Sequence, residues 1–155
     1  KQFLKEKLDE TQKKLGELLL EAQAITPEEL ERALEIQQSS GERLGSILLR
    51  LEMVDSKMLS SVLGKQQEVE GVDLLETRPR AEALGLLTAQ EARRLGCVPL
   101  WLEGDLLAVA MVDPRDEAVV LELARRTGRR IKRLIAPQTM IYSAIVQHYG
   151  GGAPG

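Results

Sequence analysis

The segment from Lys14-Leu15-Gly16 to Gln37 returns five residues later as Arg43-Leu44-Gly45 to Gln66, in two copies of 24 residues each. A shift of 29 positions lays Leu15 on Leu44, Gly16 on Gly45, Leu19 on Leu48, Leu20 on Leu49, Leu30 on Leu59, Leu34 on Leu63 and Gln37 on Gln66. No other feature narrows the possible folds as much. Two copies of a short unit build one shared core or one shared site.

Apolar periodicity makes each copy a helical hairpin. Leu15, Leu18, Leu19 and Ala22 recur at helical spacing, and this first helix is expected to end near Gln23-Ala24. Thr26-Pro27-Glu28-Glu29 then opens a second helix: Thr26 can cap, Pro27 suits the first helical position and Glu29 can complete a capping box. On that helix Leu30, Leu34 and Gln37 share a face. The second copy repeats the plan, with Leu44, Ile47, Leu48 and Leu51 on its first helix, Asp55 as the next cap, and Leu59, Leu63 and Gln66 on one face. Ser39-Ser40-Gly41 is expected to form the turn between copies.

Past Gln66 the pattern changes. Val72-Asp73-Leu74-Leu75 is a short apolar piece, and Arg78-Pro79 discourages a continuing helix. Two helical stretches are expected at 81–87 and 88–95, the second with a Thr88/Glu91 capping box. Val98 to Leu102 and Leu106 to Val112 read as strands of a hairpin around Glu103-Gly104-Asp105. Asp113-Pro114 is expected to cap a helix to about Arg126, with Val119, Val120, Leu123 and Ala124 inward. Ile131 to Ile135 follows as a third strand, and Pro137 opens a last helix through Met140, Ile141, Ala144, Ile145 and Val146. The expected fold is α+β: a lead-in helix or linker over 1–12, a tandem helical-hairpin subdomain over 13–68, a small α/β subdomain with a short three-stranded sheet over 69–150, and a linker at 151–155.

Charge and composition exclude several functions. A net charge of −3 argues against general DNA or RNA binding, which needs a broad positive field. The basic run Arg125, Arg126, Arg129, Arg130, Lys132 and Arg133 begins where a helix ends and continues into an expected edge strand, two places where positive charge is favoured on structural grounds. No apolar run approaches the ~20 residues that span a bilayer. A single cysteine, Cys97, cannot form an internal disulfide, so a reducing, cytoplasmic compartment is expected, and the chain reads as a piece of a longer protein.

Enzyme readings find little support. Cys97 and the one histidine, His148, lie about fifty residues apart with no third group to activate either, and the ligands for a metal site are lacking. Asp113 and Asp116 are explained by helix capping. No phosphate-binding G-x-x-x-x-G-K-[ST] loop occurs, so this segment is not expected to hydrolyse nucleotides.

The repeat carries more chemistry. Each copy joins a cation, a glycine that permits close approach, a leucine face and a terminal amide. An arginine fork can grip phosphate or the O6/N7 edge of guanine, and a glutamine adds a donor and an acceptor. Two such sets would suit a ligand with two bases and two phosphates. Packing of leucine and glycine satisfies the periodicity equally well; the identical spacing of the paired cations and amides points to a site.

The pattern Arg-Leu-Gly-x-x-Leu, an aliphatic, then Leu-x-x-x-Leu-x-x-Gln in tandem resembles the MshEN-type domain at the N-termini of type II secretion and type IV pilus assembly ATPases. Val72-Asp73-Leu74, Val98-Pro99-Leu100, Leu107-Ala108-Val109-Ala110-Met111, Asp113-Pro114, Thr127-Gly128 and Ile145 to Tyr149 carry the likeness onward, so that it covers roughly 13–150. The resemblance implies a non-catalytic regulatory module that needs no cofactor and binds cyclic di-GMP as a regulatory ligand. It implies contacts from Lys14, Leu15, Gly16, Leu19, Leu30, Leu34 and Gln37 in the first copy, and from Arg43, Leu44, Gly45, Leu48, Leu59, Leu63 and Gln66 in the second. The implied partners are the ATPase core of a homohexameric parent and inner-membrane platform proteins, which would hold a cytoplasmic module at the membrane. A degenerate copy that only docks onto proteins is the alternative. The chain departs from the pattern at Lys14, where arginine is favoured, and at Gln23 and Glu52, where glycine is frequent, which leaves the bend of those two turns open.

Overall fold

The computed structural model describes residues 14–150; the lead-in expected over 1–12, residue 13 and the linker at 151–155 lie outside the described residues. The helical half comprises α1 (14–21), α2 (Pro27–Ser40), α3 (Leu44–Arg50) and α4 (Ser56–Gln67). The 29-residue repeat is visible in its hydrogen bonds. After α1, Ala24 N–H donates to Leu19 C=O at 2.9 Å and Gln23 N–H to Leu20 C=O at 3.0 Å; after α3, Met53 N–H donates to Leu48 C=O at 2.9 Å and Glu52 N–H to Leu49 C=O at 3.0 Å. Both are Schellman closures. Both place a non-glycine residue in the left-handed region, Gln23 at φ 57° and Glu52 at φ 58°. The bend that glycine would supply is therefore kept without it.

That conformation costs an L-residue about 1–2 kcal/mol, of which glycine would return part, because its own folding entropy is larger by about 0.5–1 kcal/mol. Gln23→Gly and Glu52→Gly are each expected to stabilise the fold by about 0.5–1 kcal/mol, and the double variant to melt a few degrees higher. A thermal unfolding midpoint unchanged in the double variant would refute the strain.

Caps repeat as well. Thr26 Oγ1 accepts from Glu29 N–H at 3.1 Å while Glu29 Oε1 accepts from Thr26 N–H at 2.9 Å, and Asp55 Oδ1 accepts from Met58 N–H at 2.7 Å. The turn between copies lies two residues later than expected, at 41–43. Ser39 and Ser40 belong to α2, where the Ser39 hydroxyl donates to Ile36 C=O, and Gly41, at φ 75°, ends the helix before Glu42 and Arg43 lead into α3.

One core serves both copies: Leu15, Leu19, Ile25 and Ala33 pack with Leu44, Ile47, Leu48, Val54, Leu59 and Val62. Glycines set the helix spacing. A Cβ on Gly16 would lie 2.9 Å from Leu30 Cδ1, and one on Gly45 would lie 3.3 Å from Leu59 Cδ2, the equivalent pair.

The copies differ on their outer faces. Positions 27, 31 and 35 of α2 are Pro27, Glu31 and Glu35, all exposed, whereas their counterparts on α4 are Ser56, Ser60 and Gly64, all buried. Small residues let α4 lie directly on the α/β half, where a Cβ on Gly71 would sit 2.1 Å from Ser60 O and one on Gly64 would sit 2.7 Å from Val69 O. The serines bring their own partners: Ser60 Oγ donates to Ser56 C=O at 2.7 Å and Ser56 Oγ to Asp73 Oδ1 at 2.8 Å. No buried polar atom is thereby stranded.

The α/β half comprises β1 (Glu70–Gly71), α5 (Ala81–Leu84), α6 (Ala89–Leu95), β2 (Cys97–Glu103), β3 (Leu106–Met111), α7 (Glu117–Thr127), β4 (Arg130–Ile135) and α8 (Gln138–Tyr149). The sheet order is β1-β4-β3-β2. β2 and β3 form the expected antiparallel hairpin, and α7 carries the chain across to β4, parallel to β3. Val98, Leu100, Ala108, Ala110 and Leu134 face α6 and α8, while Cys97, Leu107, Val109 and Met111 pack with Leu123 of α7.

Four details depart from the sequence-based expectations. The sheet has a fourth strand, β1, whose two residues are too few for alternation to reveal. α5 stops at Leu84, before Gly85. The cap of α7 is Asp116, whose Oδ1 accepts from Ala118 and Val119 N–H, because Asp113 is occupied in a preceding turn with Arg115 N–H. Finally, β4 is not an edge strand along its whole length: β1 pairs with it at Leu134 and Ile135 only.

Candidate functional site

Twelve of the fourteen residues singled out in the repeat separate into three groups. Leu19, Leu44, Leu48 and Leu59 are fully buried, so in this structure they pack the shared core, and a ligand could touch them only if the helices parted. Gly16 is likewise buried, beneath Leu30. The second group meets at the seam between the halves, where Leu15, Arg43, Gly45, Leu63 and Gln66 line one cleft of about 70 Å³. Leu30 and Leu34 form a third group, in a separate open groove of about 370 Å³ on α2, flanked by Glu31 and Glu35. Among the described residues, Leu15 is the one contact of the first copy that lines this cleft with those of the second.

Local structure explains the seam cleft. Arg43 precedes α3 in extended conformation (φ −70°, ψ 145°), which turns its exposed side chain away from the helix, and its guanidinium makes no ion pair among the described residues. Gln66 lies in the last turn of α4 and is half-buried. Gln37, its counterpart, is also half-buried, in the last turn of α2, while Lys14 is exposed on α1. The far wall comes from the α/β half, with Val112, Pro137 and Gln138 at the N-terminus of α8. The repeat contains no hint of these wall residues, since they reach it only through tertiary folding. At about 70 Å³ the cleft is far smaller than the ~300–1,000 Å³ of a site that encloses a drug-sized molecule. It can seat one polar group of a ligand that spreads over the adjoining surface.

The remaining chemistry is structural. Cys97 is fully buried and its thiol is pushed up to about 12, so it offers no thiolate near neutrality. Burial, followed by the nearby Arg78 charge, lowers the His148 pKa at the end of α8. Three of the six cations of the basic run are held in ion pairs at the surface: Arg126 with Glu91 and Glu122, Arg130 with Asp105 at 2.9 Å, and Arg133 with Glu117. Exposed pairs contribute little to stability. No described helix is long and apolar enough to cross a membrane.

Glu122 shows the pairing most clearly. Hydrogen bonds from Arg94, then from Arg126, hold its carboxyl down at about 2, against 4.5 unperturbed. The depressed folded value means that its stabilising contribution is complete above pH 4.5 and is lost as the pH falls from there toward 2. An NMR titration of the Glu122 carboxyl is expected to show a midpoint near 2 that moves toward 4.5 in an Arg94→Ala, Arg126→Ala variant. A wild-type midpoint at 4.5 would dissolve the bridge between α6 and α7.

Comparison with known proteins supplies the remaining constraint. The model of the MshEN domain matches residues 67–155, the α/β half together with the end of α4. The chain is 30% identical over 141 residues to the type IV pilus assembly ATPase PilB of Myxococcus xanthus, with 91% of this chain and 25% of that protein covered. It is 29% identical over 135 residues to bacteriophage adsorption protein B of Escherichia coli, with 87% and 18% covered. The chain therefore spans about a quarter of the first relative and less of the second. A solved structure of MshE with cdg superposes with a TM-score of 0.60 at 30% identity, covering 87% of this chain and 98% of the other.

Proposed function

The chain belongs to the MshEN domain family, and on that footing we propose that it is a non-catalytic regulatory module that binds cyclic di-GMP through its two 24-residue motifs. One observation carries this reading: the MshE structure, which holds cdg, matches the chain over 98% of its own length at 30% identity. The convergence of Arg43, Gly45, Leu63 and Gln66 on one cleft supports it independently. In this reading Arg43 and Gln66 grip one guanine or phosphate, Leu15 and Leu63 line its apolar side, and Lys14, Leu30, Leu34 and Gln37 serve the other half of the dinucleotide.

The parent is a type IV pilus assembly or type II secretion ATPase, cytoplasmic and held at the inner membrane through platform partners. The relative named for phage adsorption shows that the fold also occurs in proteins with other names. The ligand acts by favouring one arrangement of the seam, since only a difference in affinity between arrangements can shift a population. Because the far wall of the cleft is the start of α8, occupancy is felt directly by the α/β half.

Titration calorimetry of the isolated chain with cyclic di-GMP tests the proposal, with saturable heat expected. A flat titration at millimolar ligand, with an unchanged amide spectrum, would instead select the degenerate module that only docks onto proteins. That second reading has its own support in Lys14 and in the small volume of the cleft.

A further inference from the structure

The two most exposed large apolar side chains among the described residues are Leu75, 79% exposed, and Leu121, 63% exposed. Neither contributes to a core, and they lie in opposite settings. Leu75 edges an open groove of about 890 Å³ between the α3–α4 corner and α8. Leu49, Met53, Leu74 and Met140 supply its apolar floor, and methionine adapts readily to a foreign surface. Its rim carries Glu42, Arg50, Glu52 and Asp55. Arg50 and Glu42 satisfy one another at 2.7 Å, which leaves the rim acidic at Glu52 and Asp55. Glu52 holds its carboxylate there at φ 58°, where glycine would be unstrained.

Leu121 stands on the outer side of α7 with Arg125 one turn further on. The acidic neighbours on that helix are engaged elsewhere, Glu117 by Arg133 and Glu122 by Arg94 and Arg126. Arg125 forms no ion pair among the described residues, so this surface is apolar at its centre and basic at its end. It complements the groove in both respects. α7 and α8 cover opposite faces of the sheet, so Leu121 cannot reach the groove of its own molecule.

We infer that α7 of one copy docks into the groove of a second, with Leu121 against Leu75 and Met53, and Arg125 against Glu52 and Asp55. The contact is heterologous, joining two different surfaces, and so propagates head to tail into a ring or filament rather than closing a dimer. It does not depend on cyclic di-GMP binding.

Variants with one added cysteine test this directly, because Cys97 is buried. Under mild oxidation a mixture of Leu121→Cys and Leu75→Cys chains is expected to cross-link at least tenfold faster than either variant alone. Arg125→Glu on the Leu121→Cys chain should abolish the excess, and Glu52→Arg on the Leu75→Cys chain should restore it. Equal rates in the mixture and in the separate variants, or cross-linking indifferent to Arg125→Glu, would overturn the proposal. So would like-with-like cross-linking of Leu75→Cys, since that places a twofold contact at the groove. Near-ultraviolet spectra of the variants confirm that each is folded.

Discussion

Gly71→Ala is expected to lower the unfolding free energy by about 3 kcal/mol or more, the upper end of what overpacking costs, and the melting temperature by roughly 6–12 °C. The added methyl would lie 2.1 Å from Ser60 O and 2.7 Å from Ser60 C. Those are backbone atoms of a helix, so no rotamer can give way. Either α4 retreats from β1 and opens the seam, or β1 leaves β4, and each route exposes Ser56, Ser60 and Val72, which are now buried. Gly85→Ala serves as the control: its methyl would meet only Ala81 O, at 3.5 Å, in an ordinary right-handed conformation. A surface change of that kind stays within about 0.5 kcal/mol. Equal melting temperatures for the two variants would show that α4 does not rest on β1 as described.

Arg43→Ala is expected to weaken cyclic di-GMP binding about ten- to a hundredfold, the cost of losing one bidentate contact of about 1–3 kcal/mol. The side chain is exposed and contributes nothing to the core, so the melting temperature of the free protein should not move. That separation makes the variant informative. Gln66→Ala should weaken binding less, because it removes neutral hydrogen bonds. Lys14→Arg should strengthen binding, since a planar fork replaces a point charge. Unchanged affinity in both Arg43→Ala and Gln66→Ala would remove the seam cleft from the site, even if the wild type binds.

The features legible in the sequence were those whose causes lie within a few residues. Thr26 and Glu29 form their capping box, and Asp55 caps α4, because each bond spans three positions. β2 and β3 were legible from their apolar runs and from Gly104 at their turn, which adopts φ 62°. What is not legible there depends on distant neighbours. β1 exists only because Glu70 and Gly71 meet Leu134 and Ile135 across more than sixty residues. The burial of Leu19 and Leu48 follows from the apolar periodicity of α1 and α3. Pro137 and Gln138 belong to the candidate cleft by tertiary contact alone. No expectation was drawn from Ser56, Ser60 and Gly64, although they form a small-residue stripe at helical spacing whose contrast with Pro27, Glu31 and Glu35 marks which copy meets the sheet.

That contrast also orders the opening of the molecule. The second hairpin is clamped between its twin and the sheet, whereas Pro27, Glu31 and Glu35 on the outer surface of α2 are exposed among the described residues. Amide protons of α2 should therefore exchange through a partial opening that leaves α4 protected, with the first hairpin a separate foldon of lower stability. A ligand bridging the hairpins would slow exchange chiefly in the looser one. The duplicated unit thus works as a leaf and a post: one repeat is fastened, and the other is free to record what has bound.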